Sequence, residues 1–237
     1  MMLAILNAPD ARRLGRLCGV GRAPAVASVA PASHIPGVSE QLSLLKPAAS
    51  ALPPGLAYQS DLISAEEEQA LVTRFETLEL KPFEFRGYFG KRRVAYFGRR
   101  YDFNGGGLGE APPLPAWLLP LRAKAAAFAE LPAETLEHAL VAEYAPGAPI
   151  GWHRDRPDFD QVVGVSLAGA ATLRLRRRRP DGFDRAAVQL AARSAYILRG
   201  EVRSAWEHSI PPVEALRYSI TLRSLSPQAA ARSSATS

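Results

Sequence analysis

Cysteine is almost absent from this chain. The single residue, Cys18, excludes an internal disulfide framework and any zinc site built from several thiolates. Lysine is nearly as scarce. Lys46, Lys81, Lys91 and Lys124 are the only lysines among 29 basic residues, so arginine carries almost all of the net charge of +6. Histidine occurs four times in 237 residues, which keeps the choice of imidazole sites short. No stretch approaches the roughly 20 apolar residues that a membrane-spanning helix needs. We expect a cytoplasmic protein with no membrane span, and a monomer. The arginine excess fits either a codon bias or a polyanionic partner, because guanidinium groups grip phosphates bidentately.

What is present is apolar enough, at 47% of residues, for one packed domain. Residues 1–52 stand apart. They are rich in Ala, Arg, Pro and Ser, carry few acids (Asp10, Glu40) and show no sustained period. We expect a disordered or targeting-like extension there, or a start site placed too early. The folded domain is expected over 53–226, with a disordered tail of small polar residues over 227–237.

Two helices are expected early in that domain. Ser64 followed by Glu67 is a capping-box pattern, and Leu71, Val72, Phe75 and Leu78 recur at helical spacing, which predicts a helix over 64–78. A second runs from Pro115 to Ala129, with Trp117, Leu118, Leu121 and Phe128 on one face and Pro120 disturbing its start. Between them, Lys91 to Phe103 interleaves basic and aromatic residues as a strand plus loop. That segment suits either cations and ring faces offered to nucleic acid or an edge hairpin packed on the domain. After residue 138 the pattern changes to short strands: 139–144, 162–167, 172–176, 187–190, 195–198 and 216–223. Turns at Pro146-Gly147, Ala168-Gly169, Pro180-Asp181-Gly182 and Arg199-Gly200 separate them. Helices first and strands after make an α+β chain whose sheet part is a sandwich or barrel, a jelly roll among them. The run Arg174 and Arg176 to Arg179 reads as a solvated face at the end of a strand.

The chemistry concentrates in the strand-rich half. His34 falls in the extension, and His138 is read as the end of a helical stretch. His153 and Asp155 stand two apart, so on an extended segment both project to the same side. A third ligand from a distant strand would complete two imidazoles and a carboxylate. Such a set leaves positions open for oxygen-activating iron(II). By itself H-x-D is as well explained by a salt bridge. The last strand adds weight, because Arg217, Ser219, Thr221 and Arg223 alternate with Tyr218, Ile220 and Leu222. Two inward arginines are costly without anionic partners. A dicarboxylate would answer Arg217 and Asp155 would answer Arg223. A solvated edge strand is the plain alternative.

From about residue 55 to 225 the chain resembles the AlkB family of Fe(II)/2-oxoglutarate-dependent dioxygenases. The matching residues are Glu143-Tyr144-Ala145-Pro146-Gly147, His153-Arg154-Asp155, Val163 to Leu167, Trp206 to Ile210 and Arg217 to Arg223. The resemblance implies a double-stranded β-helix (jelly-roll) core with N-terminal helices packed on it. It implies His153, Asp155 and His208 as iron ligands and catalytic residues. Tyr144, Arg217, Ser219 and Arg223 would then bind the 2-oxoglutarate cosubstrate, and oxygen would react at the iron. Arg92, Arg93, Tyr96, Phe97, Arg99, Arg100 and Tyr101 match a nucleotide-recognition lid and are the expected substrate contacts.

The implied reaction is oxidative demethylation of N-alkylated bases in single-stranded or flipped-out nucleic acid, with DNA repair as the leading case. Three departures bear on that. Ala142 and Ser219 stand where many repair members have asparagine, and Pro157 stands where they have an acid. The first two thin the cosubstrate network, and the third removes a usual base contact. The rivals are the same oxygenase chemistry on RNA or on a protein side chain, a nucleic-acid-binding module without catalysis, and a structural metal site in a cupin-like fold.

Overall fold

The computed structural model describes residues 52–105 and 107–234. The extension expected over residues 1–52 lies, apart from Leu52, outside the described residues, as do 235–237 of the expected tail. No described helix is long and apolar enough to cross a membrane.

The first helix starts where its capping box starts it. Helix α1 spans Ala65–Glu76, Ser64 Oγ accepts from the Glu67 amide at 3.2 Å, and the Glu67 carboxylate accepts from the Ser64 amide at 2.8 Å. Helix α2, Leu119–Ala129, is preceded by a 3-10 turn at Ala116–Leu118, with Pro120 in the first turn where its missing N–H costs nothing. Both helices lie against one face of a long sheet. Phe75 from α1 is 1% exposed and packs on Trp117 and Tyr218, which stabilises the fold by about 2 to 3 kcal/mol.

Thirteen strands make three sheets among the described residues. In chain order they are β1 (Leu56–Gln59), β2 (Lys81–Phe85), β3 (Tyr88–Phe97), β4 (Arg99–Asp102), β5 (Gly107–Glu110) and β6 (Leu136–Tyr144). There follow β7 (Ile150–His153), β8 (Phe159–Leu167), β9 (Ala171–Arg179), β10 (Gly182–Leu190), β11 (Ala195–Leu198), β12 (Glu207–Ile210) and β13 (Arg217–Leu225). The long sheet runs β1-β11-β8-β13-β6-β3-β2, the short one β10-β9-β12-β7, and β4 pairs with β5. Every pairing is antiparallel. The two larger sheets share a core in which Val162, Ala142 and Tyr144 of one meet Leu173, Leu175 and Leu190 of the other. The result is the expected jelly roll with helices on the long sheet's outer face. Helix α3 (Gly200–Ala205) bridges β11 to β12, and α4 (Pro227–Ser234) closes the described chain.

Three expectations change. His138 is not at a helix end. It lies in β6, whose sequence Leu-Glu-His-Ala-Leu is good helix material, but β13 and β3 pair with both edges and override the propensity. The segment after Lys91 is two strands, not a strand and a loop. Gly98 makes the corner with φ +72, and a Cβ there would sit 1.9 Å from the Glu137 carbonyl oxygen, so the bend needs glycine. Residues 227–234 are helical, where a disordered tail was expected. Pro227 opens the helix behind Ser226, whose hydroxyl accepts from the Ala229 amide at 3.3 Å, and Ala229 is buried.

Candidate metal centre

Pleating decides which side chains meet between the sheets. Along β13, Arg217, Ser219, Thr221 and Arg223 face inward, while Tyr218, Ile220 and Leu222 pack toward the helices. On the short sheet His208 of β12 lies directly opposite His153 of β7. Asp155 follows β7 by two residues. These chains line one cavity, together with Arg92, Tyr144 and Tyr196.

The two imidazole rings are 4.2 Å apart between centroids, and His208 Nε2 is 3.6 Å from Asp155 Oδ2. His153 Nδ1 lies 2.9 Å from the Gly151 carbonyl, so it carries the proton and leaves Nε2 as the donor to a metal. Burial, with help from His153, pushes His208 down to about 3, and burial also lowers His153. Both rings are therefore neutral at ordinary pH, as ligands must be. Burial works against charge on Asp155, yet Arg223, the two histidines and Arg203 hold its carboxyl well below the usual range.

The remaining contacts fix Asp155 in place. Arg223 donates to Oδ1 from Nε at 3.0 Å and Nη2 at 2.8 Å, a charge-assisted pair on one oxygen. Arg203 of α3 donates to the Asp155 carbonyl at 3.1 Å, the Phe159 carbonyl at 2.8 Å, and the Arg156 carbonyl. Oδ2 of Asp155 is left buried with no hydrogen-bond partner. Nη1 of Arg217 is also unpaired; that side chain is 1% exposed and uses Nε to donate to Ser166 at 3.0 Å. Of the five buried unpaired side-chain atoms among the described residues, only Asp155 Oδ2 and Arg217 Nη1 belong to residues that line this cavity, a carboxylate oxygen without a cation and a guanidinium nitrogen without an anion. A metal ion beside neutral imidazoles answers the first and a carboxylate the second. Among the described residues, no three acidic or imidazole side chains already stand in metal-coordinating geometry. The fit therefore rests on the two orphans and on ring protonation.

Sequence reasoning missed Tyr196. It is buried in β11 opposite Gly164, and its ring lies where a side chain at that position would be: a Cβ on Gly164 would meet it at 2.3 Å. Burial raises its hydroxyl to about 12, so it stays a donor. No motif marks it. The available signal was a glycine inside a strand whose neighbours are all large. His138 was also misplaced. Burial keeps it neutral, and it stands 3.3 Å from Arg223 Nη1, positioning the arginine that positions Asp155. Ser219 Oγ donates to the Tyr144 hydroxyl at 3.4 Å.

The expected substrate contacts divide by strand parity. Arg92 lines the cavity, stacked 3.8 Å from the Phe83 ring, and Tyr96 points the same way against His138. Arg93 and Phe97 point to the other side of β3 and are not brought to the site. Arg93 makes a bidentate pair with Glu143 at 2.8 and 2.7 Å, and Phe97 packs on Trp117. Arg99 pairs with Glu137 at 3.5 Å. Arg100 lies over Tyr96 at 5.7 Å, and Tyr101 carries Arg156 over its ring at 4.5 Å.

Comparison with known proteins agrees with this architecture. Residues 55–223 match the 2OG-Fe(II) oxygenase superfamily. A mouse protein, tRNA (carboxymethyluridine(34)-5-O)-methyltransferase ALKBH8, is 29% identical over 178 residues, covering 68% of this chain and 25% of its own length. A Danio rerio protein described as a probable RNA/DNA demethylase, ALKBH6, is 33% identical over 126 residues, 51% of this chain and 49% of that one. The chain thus spans between a quarter and a half of the length of these relatives. Among solved structures, OsALKBH1 superposes with a TM-score of 0.59 at 18% identity, over 73% of this chain and 98% of that one. A Pseudomonas putida prolyl-4-hydroxylase gives 0.52 at 17%, over 73% and 93%. Both structures show the shared fold.

Proposed function

The chain belongs to the 2OG-Fe(II) oxygenase superfamily, on its AlkB-like side, and from that premise we propose that it oxidatively removes N-alkyl groups from bases in nucleic acid, DNA repair being the first reading. It is a 2-oxoglutarate-dependent dioxygenase, which takes iron(II), 2-oxoglutarate and oxygen. His153, Asp155 and His208 would hold the iron. The paired orphans, Asp155 Oδ2 and Arg217 Nη1, are the observation that carries this assignment.

Each side chain then has a task. Arg217 receives the far carboxylate of 2-oxoglutarate, with the hydroxyls of Tyr144, Ser219 and Tyr196 beside it in place of the amides that Ala142 and Ser219 displace. Arg223 keeps Asp155 charged and oriented, and Arg203 holds the backbone of that loop. Iron(II) with 2-oxoglutarate and oxygen supplies the oxidation that places a hydroxyl on the N-alkyl carbon, giving succinate and carbon dioxide. The resulting hemiaminal breaks its C–N bond, releases formaldehyde and returns the nitrogen to N–H. A stacked base cannot reach this enclosed site, so the substrate is a single strand or a flipped nucleotide. Arg92 and Tyr96 would meet the base side of it, and Arg100 and Tyr101 the backbone.

RNA is the second reading, favoured by the similarity to a tRNA methyltransferase and to a probable RNA/DNA demethylase. Succinate release from iron-loaded protein separates the cases, using methylated and unmethylated DNA and RNA strands with His153→Ala as control. We expect stimulation by a methylated strand alone, lost in the variant. Iron-dependent turnover indifferent to every strand would overturn the nucleic-acid reading and keep the oxygenase.

A further inference from the structure

The basic run in β9 is not explained by the cavity. Alternation sends Leu173 and Leu175 into the core and Arg174, Arg176 and Arg178 to the outer face of the short sheet. Across the hairpin, Phe183 stands opposite Arg178 and Arg185 opposite Arg176. Trp152 of β7 reaches the same face. Guanidiniums and rings interleave there. Trp152 has Arg174 at 5.2 Å and Arg176 at 4.3 Å from its ring centre. Phe183 has Arg176 at 4.7 Å, Arg178 at 5.3 Å and Arg185 at 5.5 Å.

A guanidinium held over a ring face keeps its in-plane N–H donors available to an anion. Arg178 and Arg185 have no hydrogen bond or ion pair among the described residues. Arg174 uses one N–H, from Nε to Ser209 Oγ at 3.2 Å. Arg176 uses Nε on Glu207 at 2.7 Å, the carboxylate that these strands set among the four arginines. Their neighbours differ: Arg177 and Arg179 are tied to Asp184. A face laid out only for solubility does not need its cations stacked in a row with donors unspent. An anion with closely spaced oxygens does.

We propose that this outer face is a docking track for the phosphate backbone of the same nucleic-acid strand whose target base enters the cavity. The proposal rests on the nucleic-acid reading above and adds a second contact region to it. Arg174 to Arg178 spans about 13 Å of strand, the axial rise of roughly four stacked nucleotides. The track is the reverse side of the strands that carry His153 and His208, since Trp152 and Ser209 are their immediate neighbours in sequence. A chain leaving the cavity over the β7 edge passes the exposed Arg154 on its way to it.

The experiment compares wild-type protein with Arg174→Gln/Arg178→Gln/Arg185→Gln, and with the same three positions changed to Lys. Binding of a 15-nucleotide single strand and of a trinucleotide is measured across a salt series by fluorescence anisotropy. Losing three phosphate contacts should flatten the log–log salt slope by about 2 and weaken the long strand roughly tenfold or more at low salt. Trinucleotide binding and strand-independent 2-oxoglutarate turnover should not change, and the lysine variant should recover most of the slope. Unchanged long-strand affinity and slope in the glutamine variant would overturn the track alone. If wild-type protein binds neither strand, the nucleic-acid reading falls with it.

Discussion

Arg217 and Arg223 on β13 and Arg174, Arg176 and Arg178 on β9 share a residue type and a strand setting, and differ in what stands opposite them. The inward pair is oriented by hydrogen bonds to named acceptors, Ser166, Asp155 and His138. The outward set is oriented by ring faces, with most donors left to solvent. Inside the core an unanswered donor is expensive, so the single orphan on Arg217 says something specific about a ligand. On the surface water answers every donor at little cost, and only the arrangement of several arginines is informative.

The comparison breaks most visibly at Arg223. Replacing it with Met leaves Asp155 buried, charged and without its counterion, which should cost about 3 to 5 kcal/mol in urea unfolding of metal-free protein. A loss below about 1 kcal/mol would mean that the carboxylate is not held as described. The pH dependence sharpens the picture. His138 has its ordinary value of 6.5 when unfolded and is held well below it by burial, with Arg223 adding to the effect. Above 6.5 the ring is neutral in both states and contributes nothing. As pH falls below 6.5 the unfolded chain takes up a proton that the folded chain refuses, so stability declines by up to about 1.4 kcal/mol per pH unit from this group. His138→Phe should flatten that decline between pH 6.5 and 5, read as the difference in unfolding free energy. Equal slopes would show a ring that protonates in place. At the small end, Arg178→Gln or Arg185→Gln alone should shift folding stability by less than about 0.5 kcal/mol. A larger loss would make the outer ladder a structural element.

Much of this molecule is written in local patterns. Ser64 and Glu67 gave the start of α1, alternation on β13 separated its two arginines from its apolar face, and the order of short motifs pointed to the fold. What escaped was set by partners distant in sequence. β7 and β12 are four residues each, too short to show alternation, and exist because β9 and each other supply the hydrogen bonds. His138 sits among helix formers and was drawn into a sheet by two flanking strands. Arg93 and Arg92 are adjacent and basic, and only the pairing of Arg93 with Glu143 across β3 and β6 decides which one faces the cavity. Tyr196 depended on an absence, the missing side chain of Gly164.

β7 is a short strand at the end of its sheet, hydrogen-bonded along one flank to β12 and bulged between the two. It carries His153, with Asp155 just beyond, while His208 comes from the strand beside it. An ion gripped by all three would fasten that loose border to its neighbour, as a rivet fastens the last plank of a hull. A metal held there would then serve the framework as well as the reaction, and the loaded protein would be the stiffer object.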